Sequence, residues 1–135
     1  MRHLMLAAFA PVILLLTACG FDRPATRGAV LYLENCAICH GGDGRGGGGA
    51  NVAGLSKTPI DLTTLGTGNG GGFPSLLIID TMSGYAAGTH AGRRMTPFAA
   101  LTSDTRRRVK TSNGRKRIPA PQADLLAYLE TLQRE

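Results

Sequence analysis

The sequence contains no tryptophan, and only four phenylalanines and three tyrosines in 135 residues. Aromatic side chains bury the largest areas, so a core built from protein alone would be modest. Histidine is nearly as scarce, with His3, His40 and His90 the whole supply. No Ser/His/Asp arrangement and no paired carboxylates at a plausible site can be assembled, so the chain is expected not to be an enzyme in its own right. Long hydrophobic runs are missing too. The longest, Leu4 to Leu16, is too short to span a bilayer and is interrupted by Pro11. Acidic residues are few, nine against fifteen Lys and Arg, for a net charge of +6. Cysteine occurs only three times, at Cys19, Cys36 and Cys39.

Arg2 and His3, the apolar run and Leu16-Thr17-Ala18-Cys19 together have the form of an export signal. The ending resembles a bacterial lipobox, in which the signal is removed before a cysteine that takes diacylglycerol. Lipid attachment at Cys19 is therefore expected, the alternative being ordinary secretion with cleavage near Ala18. Residues 1–18 read as signal peptide, 19–27 as a lipid-anchored tether and 28–135 as one domain, since the 117 residues left after position 18 suffice for one and not two. The expected location is the periplasmic face of a bacterial membrane.

Cys36-Ala37-Ile38-Cys39-His40 carries the chemistry. In a C-x-x-C-H run, two thiols can form thioethers to the vinyl groups of a haem, and the next residue can ligate its iron. C-x-x-C also serves zinc sites and redox dithiols, and a Cys36–Cys39 disulfide would leave one odd thiol. Haem attachment with lipid on Cys19 uses all three cysteines. A haem would also supply apolar surface to a core short of aromatics.

Along the chain, residues from Pro24 to Cys36 predict a first helix, with Asp22 or Thr26 available to cap it and Gly28 calling for a packing reason. Gly41 to Gly49 holds seven glycines in nine. It has neither a Gly-Lys-Ser/Thr nor a preceding strand, so it reads as a flexible loop and not a phosphate cradle. A short turn is expected at Asp61 to Leu65. Phe73 to Ser83 predicts a helix with Pro74 in its first turn and Gly84 at its end, although Ile78-Ile79 would also suit a strand. Residues 84–100 read as an extended loop. Val109 to Ile118 centres on Asn113-Gly114, which predicts a basic two-residue hairpin or, failing that, an irregular charged loop. Pro121 opens a last helix whose Leu125, Tyr128, Leu129 and Leu132 share one face.

In this order the pieces resemble the monohaem class I cytochromes c over residues 25–135. The resemblance implies an all-α fold around a covalently bound haem, here with a small β-hairpin before the C-terminal helix. It implies that the first and last helices cross at Gly28 and Tyr128. Cys36 and Cys39 would hold one haem c, and His40 would be the proximal iron ligand. The carbonyl of Pro59 would accept a hydrogen bond from its ring. Met95, in Arg93-Arg94-Met95-Thr96-Pro97-Phe98, would be the distal ligand, with His90 the alternative and Met82 more suited to core packing. Thr96 stands where that family often has proline directly after the methionine. Arg93 and Arg94 could pair with haem propionates or face solvent.

The function implied is a membrane-anchored periplasmic carrier of single electrons. Alternatives are a haem subunit of an oxidoreductase complex, or a ligand-binding sensor should the sixth ligand be labile. Arg106, Arg107, Arg108, Lys110, Arg115, Lys116 and Arg117 lie within twelve positions. They could dock acidic redox partners or membrane-bound respiratory complexes, lie on anionic lipid, or be a solvated surface. Nucleic acid is a poor partner for an exported chain.

Overall fold

The computed structural model describes residues 23–47, 58–87 and 98–134. In chain order these form α1 (Pro24–Asn35), α2 (Ala37–His40), α3 (Ser75–Ala86), a hairpin of β1 (Arg106–Thr111) and β2 (Gly114–Pro119), and α4 (Ala120–Thr131). Short 3-10 turns lie at Leu62–Thr64, Thr67–Asn69 and Ala99–Leu101.

Helix α1 starts on Pro24, whose fixed φ suits the first turn, with Arg23 rather than Asp22 or Thr26 at the N-cap. It packs principally on α4. Gly28 is the point of closest approach: a Cβ there would meet the Asp124 backbone carbon at 2.6 Å and the Tyr128 Cβ at 2.8 Å. One turn along, the Tyr32 and Tyr128 rings sit 5.3 Å apart at 50°. The helix crossing expected at Gly28 and Tyr128 is thus present, and it accounts for a glycine inside a helix.

The core beside this crossing comprises Tyr32, Ile78, Ile79, Met82, Leu101, Ile118, Ala123, Leu125, Leu126 and Leu129. Met82 is packing, as its helical position suggested. Leu126 joins Leu125 and Leu129 in the interior, so the buried face of α4 is wider than the sequence pattern indicated. Helix α3 settles the ambiguity at Ile78-Ile79 and corrects its expected end. It runs through Gly84 to Ala86, which brings Tyr85 into the buried set. Packing of that ring outweighs the helix cost of one glycine, about 1 kcal/mol.

The hairpin pairs Arg106 with Pro119, Arg108 with Arg117, and Thr111 with Gly114. Its turn is therefore Ser112-Asn113, one residue earlier than the Asn113-Gly114 centre predicted. No residue other than glycine takes positive φ among those described, and Gly114 does so at 107°. A two-residue turn of the predicted kind would need positive φ at Asn113 as well. Glycine instead takes the left-handed position just after the turn.

A buried carboxylate ties the parts together. Asp124 accepts from Arg27 Nε at 2.8 Å and Nη2 at 3.0 Å, and Arg107 Nη1 lies 3.7 Å away. The start of α1, the second turn of α4 and the base of the hairpin thus meet at one side chain.

Candidate haem site

Cys36 caps α1, and Cys39 and His40 lie on the single turn of α2, so the motif folds as one continuous helical corner. The Cys39 and His40 amides both donate to the Cys36 carbonyl, at 3.1 and 2.9 Å, which fixes the two sulfurs and the imidazole to one short piece of backbone. Both cysteines are free thiols and half-buried. Burial, and then the neighbouring Cys39, push the Cys36 thiol up to about 11, so it is protonated near neutral pH.

His40 is buried, and that burial lowers its pKa below the ordinary 6.5, opposed by a backbone hydrogen bond from the ring. The bond runs from Nδ1 to the carbonyl of Ile60 at 3.2 Å. A carbonyl can only accept, so the proton sits on Nδ1 and the lone pair on Nε2. This corrects the expectation for Pro59: the acceptor is one residue further on. The Pro59 carbonyl is turned toward Gly46, where an added Cβ would collide with it. Gly46 holds φ +84°, and its amide donates to the His40 carbonyl at 2.7 Å.

The loop after His40 is therefore not a free linker over its described part. Tyr32 Oη donates to the Gly41 carbonyl at 2.6 Å, and the Leu62 amide donates to Gly44 at 2.7 Å. Burial raises the Tyr32 pKa well above the phenol range, which keeps it a donor. Asp61 caps the next turn, accepting from the Thr63 amide at 2.7 Å and hydroxyl at 2.6 Å. Beyond the last helix, Gln133 Nε2 donates to the Leu62 carbonyl at 2.9 Å, Gln133 Oε1 accepts from the Gly66 amide at 3.0 Å, and the Arg134 amide reaches Thr63 at 2.9 Å. Ile60 is thus held from both ends of the fold. Sequence reasoning missed Ile60, Tyr32 and Gln133 as site supports. The first acts through its backbone, and the others read as an apolar helix position and a polar tail.

The residues fit a covalently attached haem. Two unpaired thiols precede, on the same helical corner, an imidazole whose Nε2 makes no hydrogen bond among the described residues. Ile38 and Ile60 beside it are 69 and 64% exposed, an apolar rim suited to a macrocycle. A closed zinc site takes four ligands, and no group of three or more His, Cys, Asp or Glu gathers among the described residues. Met95, its alternative His90, Arg93, Arg94 and the lipidation candidate Cys19 all lie outside the described residues.

Among curated proteins and among solved structures, none matches the chain. A family model described as cytochrome C oxidase, cbb3-type, subunit III matches residues 23–125. That span takes in Cys36, Cys39, His40, the hairpin and the first half of α4. The chain belongs to this family of c-type cytochromes, as a monohaem class I cytochrome c whose prosthetic group is a covalently bound haem c.

Proposed function

We propose that the protein is a lipid-anchored, exported carrier of single electrons, with the signal peptide removed before Cys19 and the haem iron held by His40 and Met95. The bound haem supplies reversible one-electron chemistry at iron. The observation that carries this reading is the His40 ring, buried and locked by Ile60 with Nε2 free, one residue after a free thiol. An imidazole so fixed gives the iron a strong and constant donor, because the hydrogen bond at Nδ1 sets both ring orientation and basicity. Tyr32, Gly46 and Gln133 keep its acceptor from moving. Met95 is supported by its place in the sequence, before the final helix, as in the resembling family.

Export together with haem-maturation factors should give a red protein whose haem stays with the polypeptide after denaturation. A colourless product would sink the reading. Slow or absent carbon monoxide binding to the reduced protein is expected, because both axial positions are filled. Rapid binding at neutral pH would favour the sensor alternative.

The description of the matching family favours a second reading, in which the chain passes electrons to or from a respiratory oxidase as one of its haem subunits. Co-purification with a catalytic oxidase from mildly solubilised membranes would support it over a free shuttle.

A further inference from the structure

The hairpin distributes its cations unequally between its faces. From Arg106 to Arg117 there are seven basic residues and no acidic one. On the inward face, Arg107 lies beside Asp124, and Lys116 Nζ pairs with Asp80 at 2.8 Å, while Val109, Thr111 and Ile118 pack below them. On the outward face, Arg108 stands directly opposite Arg117 and Lys110 opposite Arg115. Like charges in such cross-strand pairs repel and weaken the ribbon. None of these four has an ion pair among the described residues, and all four are exposed. Arg106 adds a fifth cation, its guanidinium reaching the Arg117 carbonyl at 3.0 Å. A chain that neutralises one face of a hairpin and leaves like charges paired on the other favours an anion from outside.

The position of this face indicates which anion. Arg27 and Arg107 share Asp124, so the base of the hairpin lies at the start of α1. Arg23 follows Cys19 by only four positions, a reach of at most about 14 Å. From Asp124 the other end of α4, at Thr131, is about 10 Å away along its axis. There Gln133 and Arg134 hold the loop that follows His40. The uncompensated cations are thus on the anchor side of the fold and remote from the haem-bearing side.

We propose that the outward face of the hairpin, centred on Arg108, Lys110, Arg115 and Arg117, docks on anionic phospholipid headgroups and turns the His40 end of the protein away from the bilayer. The choice of lipid over an acidic protein rests on the Cys19 anchoring reading. Each cation at an anionic surface favours the bound orientation about fivefold, and salt screens the attraction.

The test places the purified, processed holoprotein on vesicles of phosphatidylcholine alone and on vesicles containing about 30% phosphatidylglycerol. Phenylglyoxal labelling of arginines is then read by peptide mass spectrometry. Labelling of Arg108, Arg115 and Arg117 should slow about fivefold or more on the anionic vesicles and recover in about 0.5 M salt. Exposed Arg45, next to the His40 loop, should not change. Equal labelling on both vesicles overturns the proposal, and so does equal slowing at Arg45. Protection by soluble polyglutamate but not by phosphatidylglycerol overturns it in favour of an acidic protein. The intact mass of the same sample reports separately whether Cys19 carries lipid, so failure of the anchor and failure of the surface give different results.

Discussion

His40 donates its Nδ1 proton to the carbonyl of Ile60 across twenty residues of chain, at 3.2 Å. The contact leaves Nε2 as the only nitrogen able to meet iron, and it depends on Gly46 allowing the Pro59–Ile60 segment to pass closely.

Gly46→Ala should disturb that relationship directly. Its φ of +84° is strained for alanine, and the new Cβ would push on the Pro59 carbonyl. We expect a loss of about 1–3 kcal/mol in denaturant unfolding. The reduction potential should also rise, because a weakened Nδ1 hydrogen bond makes imidazole a poorer donor to ferric iron. Gly47→Ala, with nothing within 4 Å, is the control and should leave the potential unchanged. Equal potentials in the two variants would mean that the Ile60 contact does not tune the site.

Gly28→Ala should destabilise the holoprotein although alanine is the better helix former by about 1 kcal/mol. The added methyl would strike the backbone of α4 at Asp124, which cannot rotate away as a side chain could. A net loss of about 2 kcal/mol, lowering Tm by roughly 5–10 °C, is expected in a thermal melt. An unchanged or raised Tm would show that the crossing is looser than described.

The two arginines on Asp124 should differ. Arg27 makes two close hydrogen bonds and its side chain is 28% exposed, whereas Arg107 sits 3.7 Å away and is 43% exposed. Arg27→Gln leaves the buried carboxylate poorly paired and should cost about 2 kcal/mol, a value reduced for partial solvent access. Arg107→Gln should cost less than about 0.5 kcal/mol. Denaturant midpoints would check the order, and a reversal would reassign the partner of Asp124.

Much of the fold is legible in short-range pattern. The C-x-x-C-H run, the glycine at the helix crossing and the apolar face of α4 are all local spacings with one good structural solution. What escapes the sequence acts at a distance or through the backbone. Any residue can present the carbonyl that Ile60 presents, so no side-chain signal separates it from Pro59. Gly84 looks like a helix end until Tyr85 is seen to need burial. The hairpin register turns on which of Asn113 and Gly114 takes positive φ, and glycine takes it alone. The clamp made by Gln133 lies about seventy residues from its partners in sequence. The distal ligand falls outside the described residues, and its assignment rests on chain order.

Asp61 provides a pH dependence. Hydrogen bonds from the Thr63 hydroxyl and amide lower its pKa below the ordinary 3.8. A carboxylate depressed in the folded state contributes stability above the unfolded value, and that contribution is lost as pH falls through the folded one. Asp61→Asn should therefore lower stability at neutral pH and converge with wild type below about pH 4, flattening the acid limb of a stability–pH curve. Parallel curves for wild type and variant would show that the Asp61 cap is not formed in solution.

The central claim is a low-spin haem held between His40 and Met95, and redox-titrated visible and near-infrared spectroscopy of the purified protein tests it most directly. The account predicts a single reversible one-electron transition. It also predicts a sulfur-to-iron charge-transfer band in the ferric form, lost in Met95→Ala with a fall in potential and kept in His90→Ala. A band that survives Met95→Ala, or a ferric spectrum of the bis-histidine type that changes only in His90→Ala, would contradict it.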